Sequence, residues 1–302
     1  MHKDVKRYLV IGASFGVLLL ISLLPSGRMT HIQKSASVLD AIKASDIVRN
    51  EKPFVEARAA LVYDIGAKQV LYDKESSTPL PLASLTKIIT VSYILNHLNL
   101  DDQVTISKHA LKTEGNSLLV AGDTFRVKEL AAMIMVESSN DSVTALVDFI
   151  ASQNNVDPND AETWILPRLQ AHAEQLGTIE SVLHSTTGLD GVDGFATAFG
   201  SARDIMTFAS KTIGSNIWGV QHIDTVVSGK GKKYRLKATN EIKDSIPLLL
   251  GSKTGFTDTA GGNLLIITEF PVGNPVGIIV LGSSEEGRFQ DVHALYQWLI
   301  GK

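Results

Sequence analysis

Residues 83–90 read Ala83-Ser84-Leu85-Thr86-Lys87-Ile88-Ile89-Thr90, with a serine and a lysine three residues apart at the start of an apolar run. Three residues are nearly one helical turn, so a helix here places Ser84 and Lys87 on one face. A serine hydroxyl is a weak nucleophile, and a lysine that has lost its proton in apolar surroundings can act as its base. Alone, the pattern also fits a helix N-cap followed by an exposed lysine.

Two further segments favour the catalytic interpretation. Ser138-Ser139-Asn140 follows an apolar run with helical spacing, and Lys253-Thr254-Gly255 lies between two apolar, strand-like runs. Ser139 or Asn140 is also a candidate helix cap, so this segment by itself is ambiguous. Ser-x-x-Lys, Ser-x-Asn and Lys-Thr-Gly in this order are the signature of class A β-lactamases and penicillin-binding proteins.

Over residues 55–302 the sequence resembles the serine D-alanyl-D-alanine carboxypeptidases, which are low-molecular-mass penicillin-binding proteins. The likeness extends to Pro79–Lys87, Ser138–Ser142, Thr187–Leu189, Ser201–Asp204 and Gly251–Thr257. The resemblance implies a β-lactamase/transpeptidase-like fold of the α/β (α+β) class, with no cofactor and no metal. It also implies peptidoglycan stem peptides as substrates and β-lactams as covalent inhibitors.

The resemblance further implies roles for eight residues. Ser84 would attack the carbonyl between two terminal D-alanines while Lys87 takes its proton. Ser138 would pass a proton to the departing D-alanine, and Asn140 would hold the substrate amide and orient Lys87.

The third segment would bind the substrate. Lys253 and Thr254 would hold the terminal carboxylate, and the backbone N–H groups of Ser84 and Phe256 would form the oxyanion hole. Gly255 would leave room for a substrate backbone against its strand.

The hydrophobic pattern predicts strands at both ends of this domain and helices between them. Strands are expected at 59–64, 69–73, 246–256, 263–270 and 276–283, and helices at 84–98, 127–136, 141–151, 161–176 and 289–300. We therefore expect one antiparallel sheet built from both ends of the domain and flanked by helices, with an all-helical subdomain inserted at about 100–212.

Composition excludes some classes of function. The net charge of −4, without a run of lysine or arginine, gives no reason to expect nucleic-acid binding. The chain has no cysteine and its eight histidines lack metal-ligand spacing, so a metal enzyme is not expected. His184, just before the Thr187 segment, is expected to pack in the core.

The N-terminus predicts export. Lys3, Lys6 and Arg7 precede an uncharged run from Tyr8 to Leu24, which is longer than a usual signal-peptide core. We expect residues 1–25 to form a membrane anchor, with a cleaved signal peptide as the alternative, and residues 26–54 to form a tether. Basic residues ahead of the span favour an extracytoplasmic catalytic domain in a bacterial cell membrane.

Three alternatives stay open. A DD-endopeptidase of peptide cross-links would use the same residues. A class A β-lactamase would need a Glu-x-x-Leu-Asn segment to hydrolyse its acyl-enzyme, and Glu162-Thr163-Trp164-Ile165-Leu166-Pro167 does not match it. An inactive wall-binding scaffold is disfavoured by the intact trio.

Overall fold

A computed structural model describes residues 51–113 and 119–301 of the chain. The strands are β1 Ala59–Asp64, β2 Gln69–Lys74, β3 Leu80–Pro81, β4 Gln103–Thr105, β5 Thr124–Arg126, β6 Val182–Leu183, β7 Ala198–Gly200, β8 Thr225–Val227, β9 Lys233–Arg235, β10 Leu249–Thr257, β11 Gly261–Glu269 and β12 Pro275–Ser283. The helices are α1 Thr86–His97, α2 Val127–Glu137, α3 Asn140–Ser152, α4 Ala161–Gln175, α5 Ala202–Thr212, α6 Asn216–Gly219 and α7 Gly287–Ile300.

The main sheet joins the two ends of the domain. Its five strands are antiparallel in the order β10-β11-β12-β1-β2, so strands far apart in sequence lie side by side. Ala60 pairs with Val280, and Ile279 pairs with Leu265 on the other side of β12. The predicted antiparallel sheet from both ends is confirmed, and β10 lies at one edge of it.

Both faces of the central strands β11, β12 and β1 are buried, which explains why these strands are largely apolar without alternation. Side chains that alternate along the strands enter two different cores, because successive residues of a strand point to opposite faces. Leu265, Ile267 and Ile279 pack toward the helical region, whereas Leu264, Ile266 and Ile278 pack against α7. Full burial of each such side chain stabilises the fold by about 1.5–3 kcal/mol.

The helix α1 lies inside the larger core. Every residue from Thr86 to Leu95 is buried, including Lys87. A helix that is enclosed on all sides has no solvated stripe, so the apolar run after Ser84 shows little amphipathic periodicity.

The sequence suggested an all-helical insert between α1 and α5, but the structure shows short strands there as well. The insert contains α2, α3 and α4, but also the two-stranded sheet of β4 and β5, and it contributes β6 and β7 to a small sheet in the order β3-β7-β6, whose strand β3 precedes α1. Strands of two or three residues are too short to show a period in the sequence, so the pattern could not reveal them.

The β10 strand begins at Leu249 rather than at Ile246. A 3₁₀ turn at Lys243–Ser245 and a positive φ of 52° at Leu248 delay its start.

The predicted anchor at 1–25 and most of the tether at 26–54 lie outside the described residues. Within the part of the chain that is described, no helix combines enough length and apolar character to cross a membrane.

Candidate active site

Ser84 lies on a tight turn that the main sheet holds in place. The turn is a single 3₁₀ turn at Ala83–Leu85, directly before α1. Asn263, a fully buried residue of β11, donates from Nδ2 to the carbonyls of Pro81 and Leu82 at 3.0 Å each. Its Oδ1 accepts the Gly282 N–H at 2.8 Å, so one amide ties β11 and β12 to the segment before Ser84.

The backbone at Ala83 is in the left-handed region, with a φ of 47°. A non-glycine residue in that region costs about 1–3 kcal/mol and persists where its surroundings enforce it. Gly188 allows its loop to approach this backbone closely, because a β-carbon there would collide with the Ala83 carbonyl oxygen. The loop that contains Gly188 therefore packs tightly beneath the serine.

Ser84 and Lys87 meet as their spacing predicted. Lys87 Nζ is 2.5 Å from Ser84 Oγ and donates to the Thr187 carbonyl at 2.9 Å. Burial lowers the pKa of Lys87 well below its usual value, and the nearby charge of Lys253 lowers that pKa further. A lysine in this setting can exist as a neutral amine, which can take a proton from the hydroxyl.

Ser138 lies at the C-terminal end of α2, with a φ of 62°. The following residue, Ser139, caps α3 by accepting the Ser142 N–H at 3.2 Å, and Asn140 is the first residue of that helix. Of the two candidate caps in the sequence, Ser139 is therefore the one used. The break between the two helices leaves Ser138 outside both, directed toward β10.

Lys253 reaches Ser138 from the main sheet. Its Nζ donates to Ser138 Oγ at 2.9 Å and to the Thr254 carbonyl at 2.8 Å. Burial, followed by the charge of Arg288, lowers the pKa of Lys253 to about 7. The two lysines are thus close enough to influence each other while each contacts its own serine.

The rest of the Lys-Thr-Gly segment faces the same region. Thr254 shares a 2.6 Å hydroxyl–hydroxyl hydrogen bond with Thr239. Phe256, the next residue but one, has 39% of its surface exposed and lies 5.8 Å from the Arg288 guanidinium. Its side chain is therefore at the surface, as expected for a residue whose predicted contribution is a backbone N–H.

Gly255 is required by the packing of the chain itself. A β-carbon there would lie 2.9 Å from the Leu82 carbonyl oxygen and 3.2 Å from the Ser84 nitrogen. The space is taken by the serine-bearing turn of this chain itself. Gly255 therefore allows β10 to lie directly against the nucleophile.

Three contributors were missed by the sequence interpretation. The Thr187 carbonyl is a backbone group, which no residue pattern reveals. Asn263 gave a weak signal, since it is a lone amide within an apolar strand. Arg288 gave none, although its Nη1 donates to the Gly255 carbonyl at 2.9 Å and its charge acts on Lys253.

The structure also places Glu162 and His184, two residues considered in the sequence analysis. Glu162 accepts both the N–H and the hydroxyl of Thr186, at 2.9 and 3.0 Å, and so holds the loop beneath Lys87. The expectation that His184 packs in the core was wrong, because this residue is exposed; its backbone N–H donates to the Thr197 carbonyl at 2.7 Å.

Together these contacts bring Ser84, Lys87, Ser138 and Lys253 into one site, with Thr254, Gly255 and Phe256 on the adjoining strand. Such a site offers a nucleophile beside a desolvated amine, and a second hydroxyl bonded to a second amine. These are the groups that acyl transfer needs to activate a nucleophile and to protonate a leaving group.

Comparison with known proteins matches residues 46–285 to the D-alanyl-D-alanine carboxypeptidase family. The sequence is similar to D-alanyl-D-alanine carboxypeptidase DacF of Bacillus subtilis, with 28% identity over 214 residues, covering 68% of this chain and 52% of that protein. The chain therefore spans about half the length of this relative.

The match covers a larger share of a second relative and of a solved structure. D-alanyl-D-alanine endopeptidase of Haemophilus influenzae is 25% identical over 240 residues, which cover 76% of this chain and 77% of that protein. The structure is similar to penicillin-binding protein D2 from Listeria monocytogenes in its ampicillin-bound form. That similarity has a TM-score of 0.66 and 28% identity, and it covers 83% of this chain and 100% of the other.

Proposed function

Because the chain belongs to the D-alanyl-D-alanine carboxypeptidase family, we propose that it is a serine-type D-Ala-D-Ala peptidase that acts on peptidoglycan stem peptides and binds penicillin. The observation that carries the proposal is the 2.5 Å approach of Lys87 Nζ to Ser84 Oγ, at a lysine whose pKa is lowered well below its usual value by burial and by Lys253. Residues 55–302 would form the catalytic domain.

The first half of the reaction forms an ester. Ser84 Oγ attacks the carbonyl carbon between the two terminal D-alanines, and Lys87 accepts the hydroxyl proton. The C–N bond then breaks, and the proton that Lys87 accepted passes through Ser138 to the departing amine, so that Lys87 is neutral again; Lys253 contacts Ser138 at 2.9 Å. The backbone N–H groups of Ser84 and Phe256 stabilise the oxyanion.

The second half releases the product. Water attacks the ester carbonyl, Lys87 accepts a proton from that water, and Ser84 recovers its own proton as the C–O bond breaks.

Before the reaction starts, other residues position the substrate, and Asn140 holds its amide. The terminal carboxylate meets Thr254 and Lys253, and Arg288, which contacts the Gly255 carbonyl, adds positive charge behind them.

An assay for D-alanine released from a stem pentapeptide tests the proposal directly. We expect release by the full chain and none by Ser84→Ala. An unchanged rate in Ser84→Ala would overturn it. Rapid hydrolysis of penicillin with no D-alanine release would support a β-lactamase, and neither activity would support an inactive scaffold.

Cleavage of cross-links is the second candidate function. It is favoured by the similarity to the endopeptidase of Haemophilus influenzae, which extends over most of that protein. A carboxypeptidase and an endopeptidase differ in the group that leaves, since the first releases one D-alanine and the second releases a peptide.

The proposed location is the outer face of a bacterial cell membrane. Its support is the sequence of residues 1–25, in which Lys3, Lys6 and Arg7 precede the uncharged run Tyr8–Leu24. Secretion after cleavage of this segment is the alternative. Detection of the intact N-terminal peptide in a membrane fraction would support the anchor, and its loss from a secreted form would support cleavage.

A further inference from the structure

A cavity separate from the reacting groups lies at the far end of α1. It forms where the C-terminal ends of α1 and α3 meet α4, and its volume is about 350 Å³. Lys87 is in the first turn of α1 and His97 is the last residue of that helix, so about 15 Å of helix separates the cavity from the reacting lysine. Within the described part of the chain, its lining includes no residue of the Ser84, Ser138 or Lys253 segments.

Stacked planar groups form two walls of this cavity. On α1, the His97 ring stacks on the Tyr93 ring, with ring centroids 4.0 Å apart. On α4, the Arg168 guanidinium lies 4.0 Å from the centre of the Trp164 ring, and its Nη1 donates to the Trp164 carbonyl at 2.6 Å. Burial raises the pKa of Tyr93 and the charge of Arg168 opposes that rise, so the two walls are near each other. These walls are preformed, which lowers the entropy cost of binding a ligand between them.

Several polar groups of the lining have no partner in the described part of the chain. No hydrogen bond or ion pair among the described residues involves the Asp102 carboxylate or the Gln153 side-chain amide. Asn154 donates from Nδ2 to the Ile150 carbonyl at 2.8 Å, and the described residues offer its Oδ1 no donor. Arg168 has five N–H groups, and its hydrogen bond to the α4 backbone uses one of them. The cavity therefore presents both donors and acceptors to a ligand.

The chemistry of these groups defines the ligand class. The Arg168 guanidinium donates, the Asp102 carboxylate accepts, and the amide of Gln153 can do both. A ligand that pairs with all of them needs donors and acceptors close together, and hydroxyl groups supply both. Arg168 and Asp102 contribute one charge of each sign, which favours a neutral ligand over an anion or a cation. The planar walls suit a ring with an apolar face, since small-molecule sites combine aromatic surface with a few placed polar groups.

We infer that this cavity binds a sugar ring of the peptidoglycan glycan strand, so that the chain holds the polymer at a second place. A pyranose combines a rim of hydroxyl groups with apolar C–H faces, as the lining requires. The volume of about 350 Å³ is at the lower end of the range of about 300–1,000 Å³ for small-molecule sites, which suits a short saccharide. The choice of the glycan strand as the source rests on the proposed function, whereas the sugar chemistry rests on the cavity. Because α1 is enclosed by the core, this contact is separate from the peptide bound at Ser84.

The test measures sugar binding without turnover. The full chain is titrated by calorimetry with glycan oligosaccharides from which an amidase has removed the peptides, and with N-acetylglucosamine alone. Asp102→Ala/Gln153→Ala removes two lining side chains that have no other partner among the described residues. Gln69→Ala/Glu180→Ala is the matched control, because it makes the same change of charge and loses one amide at exposed positions outside the lining. The thermal midpoint of unfolding of each variant shows that it is folded.

We expect the oligosaccharide to bind the wild type and the control variant equally, and to bind Asp102→Ala/Gln153→Ala at least tenfold more weakly. Absence of binding to the wild type, or equal binding by the two double variants, would overturn the inference. If N-acetylglucosamine bound as tightly as the oligosaccharide, the ligand would be a free sugar and the glycan strand would be the wrong source.

The same titration separates this inference from the proposed function. A chain that binds the oligosaccharide in this cavity but releases no D-alanine from a stem pentapeptide would refute the peptidase function and leave the sugar site standing. A chain that releases D-alanine but does not bind the oligosaccharide would refute the sugar site alone.

Discussion

The site contains two serine–lysine pairs that are assembled in different ways. Ser84 and Lys87 are one helical turn apart, so their local spacing brings Nζ and Oγ together at 2.5 Å. Ser138 and Lys253 are separated by 115 residues and meet at 2.9 Å only because α2 ends where β10 passes. Local spacing therefore places the first pair, which Asn263 and the Thr187 carbonyl then hold, whereas only the fold brings the second pair together.

The two lysines also differ in charge. Burial lowers both pKa values, but that of Lys253 is about 7, so this residue is partly protonated at neutral pH. The pKa of Lys87 is lowered well below its usual value, and Lys253 contributes to that lowering. The difference indicates separate roles, with Lys87 as the base and Lys253 as a cation near the substrate carboxylate.

The sharpest way to separate these roles is the same substitution at both lysines. A guanidinium does not lose its proton, so Lys87→Arg removes the neutral amine that serves as the base. We expect the rate of acylation by penicillin to fall about 10³-fold in Lys87→Arg. In Lys253→Arg, which keeps a cation, the loss should be far smaller. Equal losses at the two positions would contradict the assignment.

The second effect in size is expected at Ser138. Loss of a positioned proton donor typically costs about 10²–10⁴-fold, so Ser138→Ala should lower kcat for D-alanine release by about 10²-fold or more. Ser139→Ala is the matched control, because this neighbour caps α3 and would cost about 1 kcal/mol of stability without removing a reacting group. Similar kcat values for the two variants would argue against a proton relay at Ser138.

A smaller effect is expected in the pH profile. Activity should rise as pH increases through the pKa of Lys87, because the base must be neutral. It should fall as pH increases through the pKa of Lys253, about 7, because the cation is then lost. The alkaline limb of kcat/KM should therefore lie near pH 7 in the wild type and disappear in Lys253→Arg. An alkaline limb that persists in this variant would assign it to another group.

The smallest effect is expected at Phe256. Removal of an oxyanion-hole donor costs about 2.7–4 kcal/mol, but a backbone N–H survives replacement of its side chain. Phe256→Ala should thus keep kcat within a few-fold of the wild type. If its loss matched that of Ser84→Ala, the side chain itself would take part in the reaction.

The contrast between the two pairs also explains what the sequence could predict. The Ser84–Lys87 contact follows from helical spacing, and the alternating or continuous apolar runs predicted the five strands of the main sheet and five of the helices. The Ser138–Lys253 contact needed the family signature, because spacing cannot bring together residues from α2 and β10.

Other features depend on three-dimensional packing. A glycine at position 255 was expected to leave room for a substrate, and the structure adds that a β-carbon there would also meet backbone atoms of Leu82 and Ser84. The hydrogen bonds of Asn263 to Pro81 and Leu82 join residues about 180 positions apart. Backbone acceptors such as the Thr187 carbonyl leave no mark on the sequence at all.

The central claim is that Ser84 is the nucleophile of an acyl transfer, with Lys87 as its base. Its most direct test is the intact mass of the full chain after incubation with penicillin, followed by peptide mapping. We predict a stable adduct of one penicillin, located on Ser84 and absent from Ser84→Ala. A persistent adduct on Ser84→Ala, or none on the wild type, would contradict the claim.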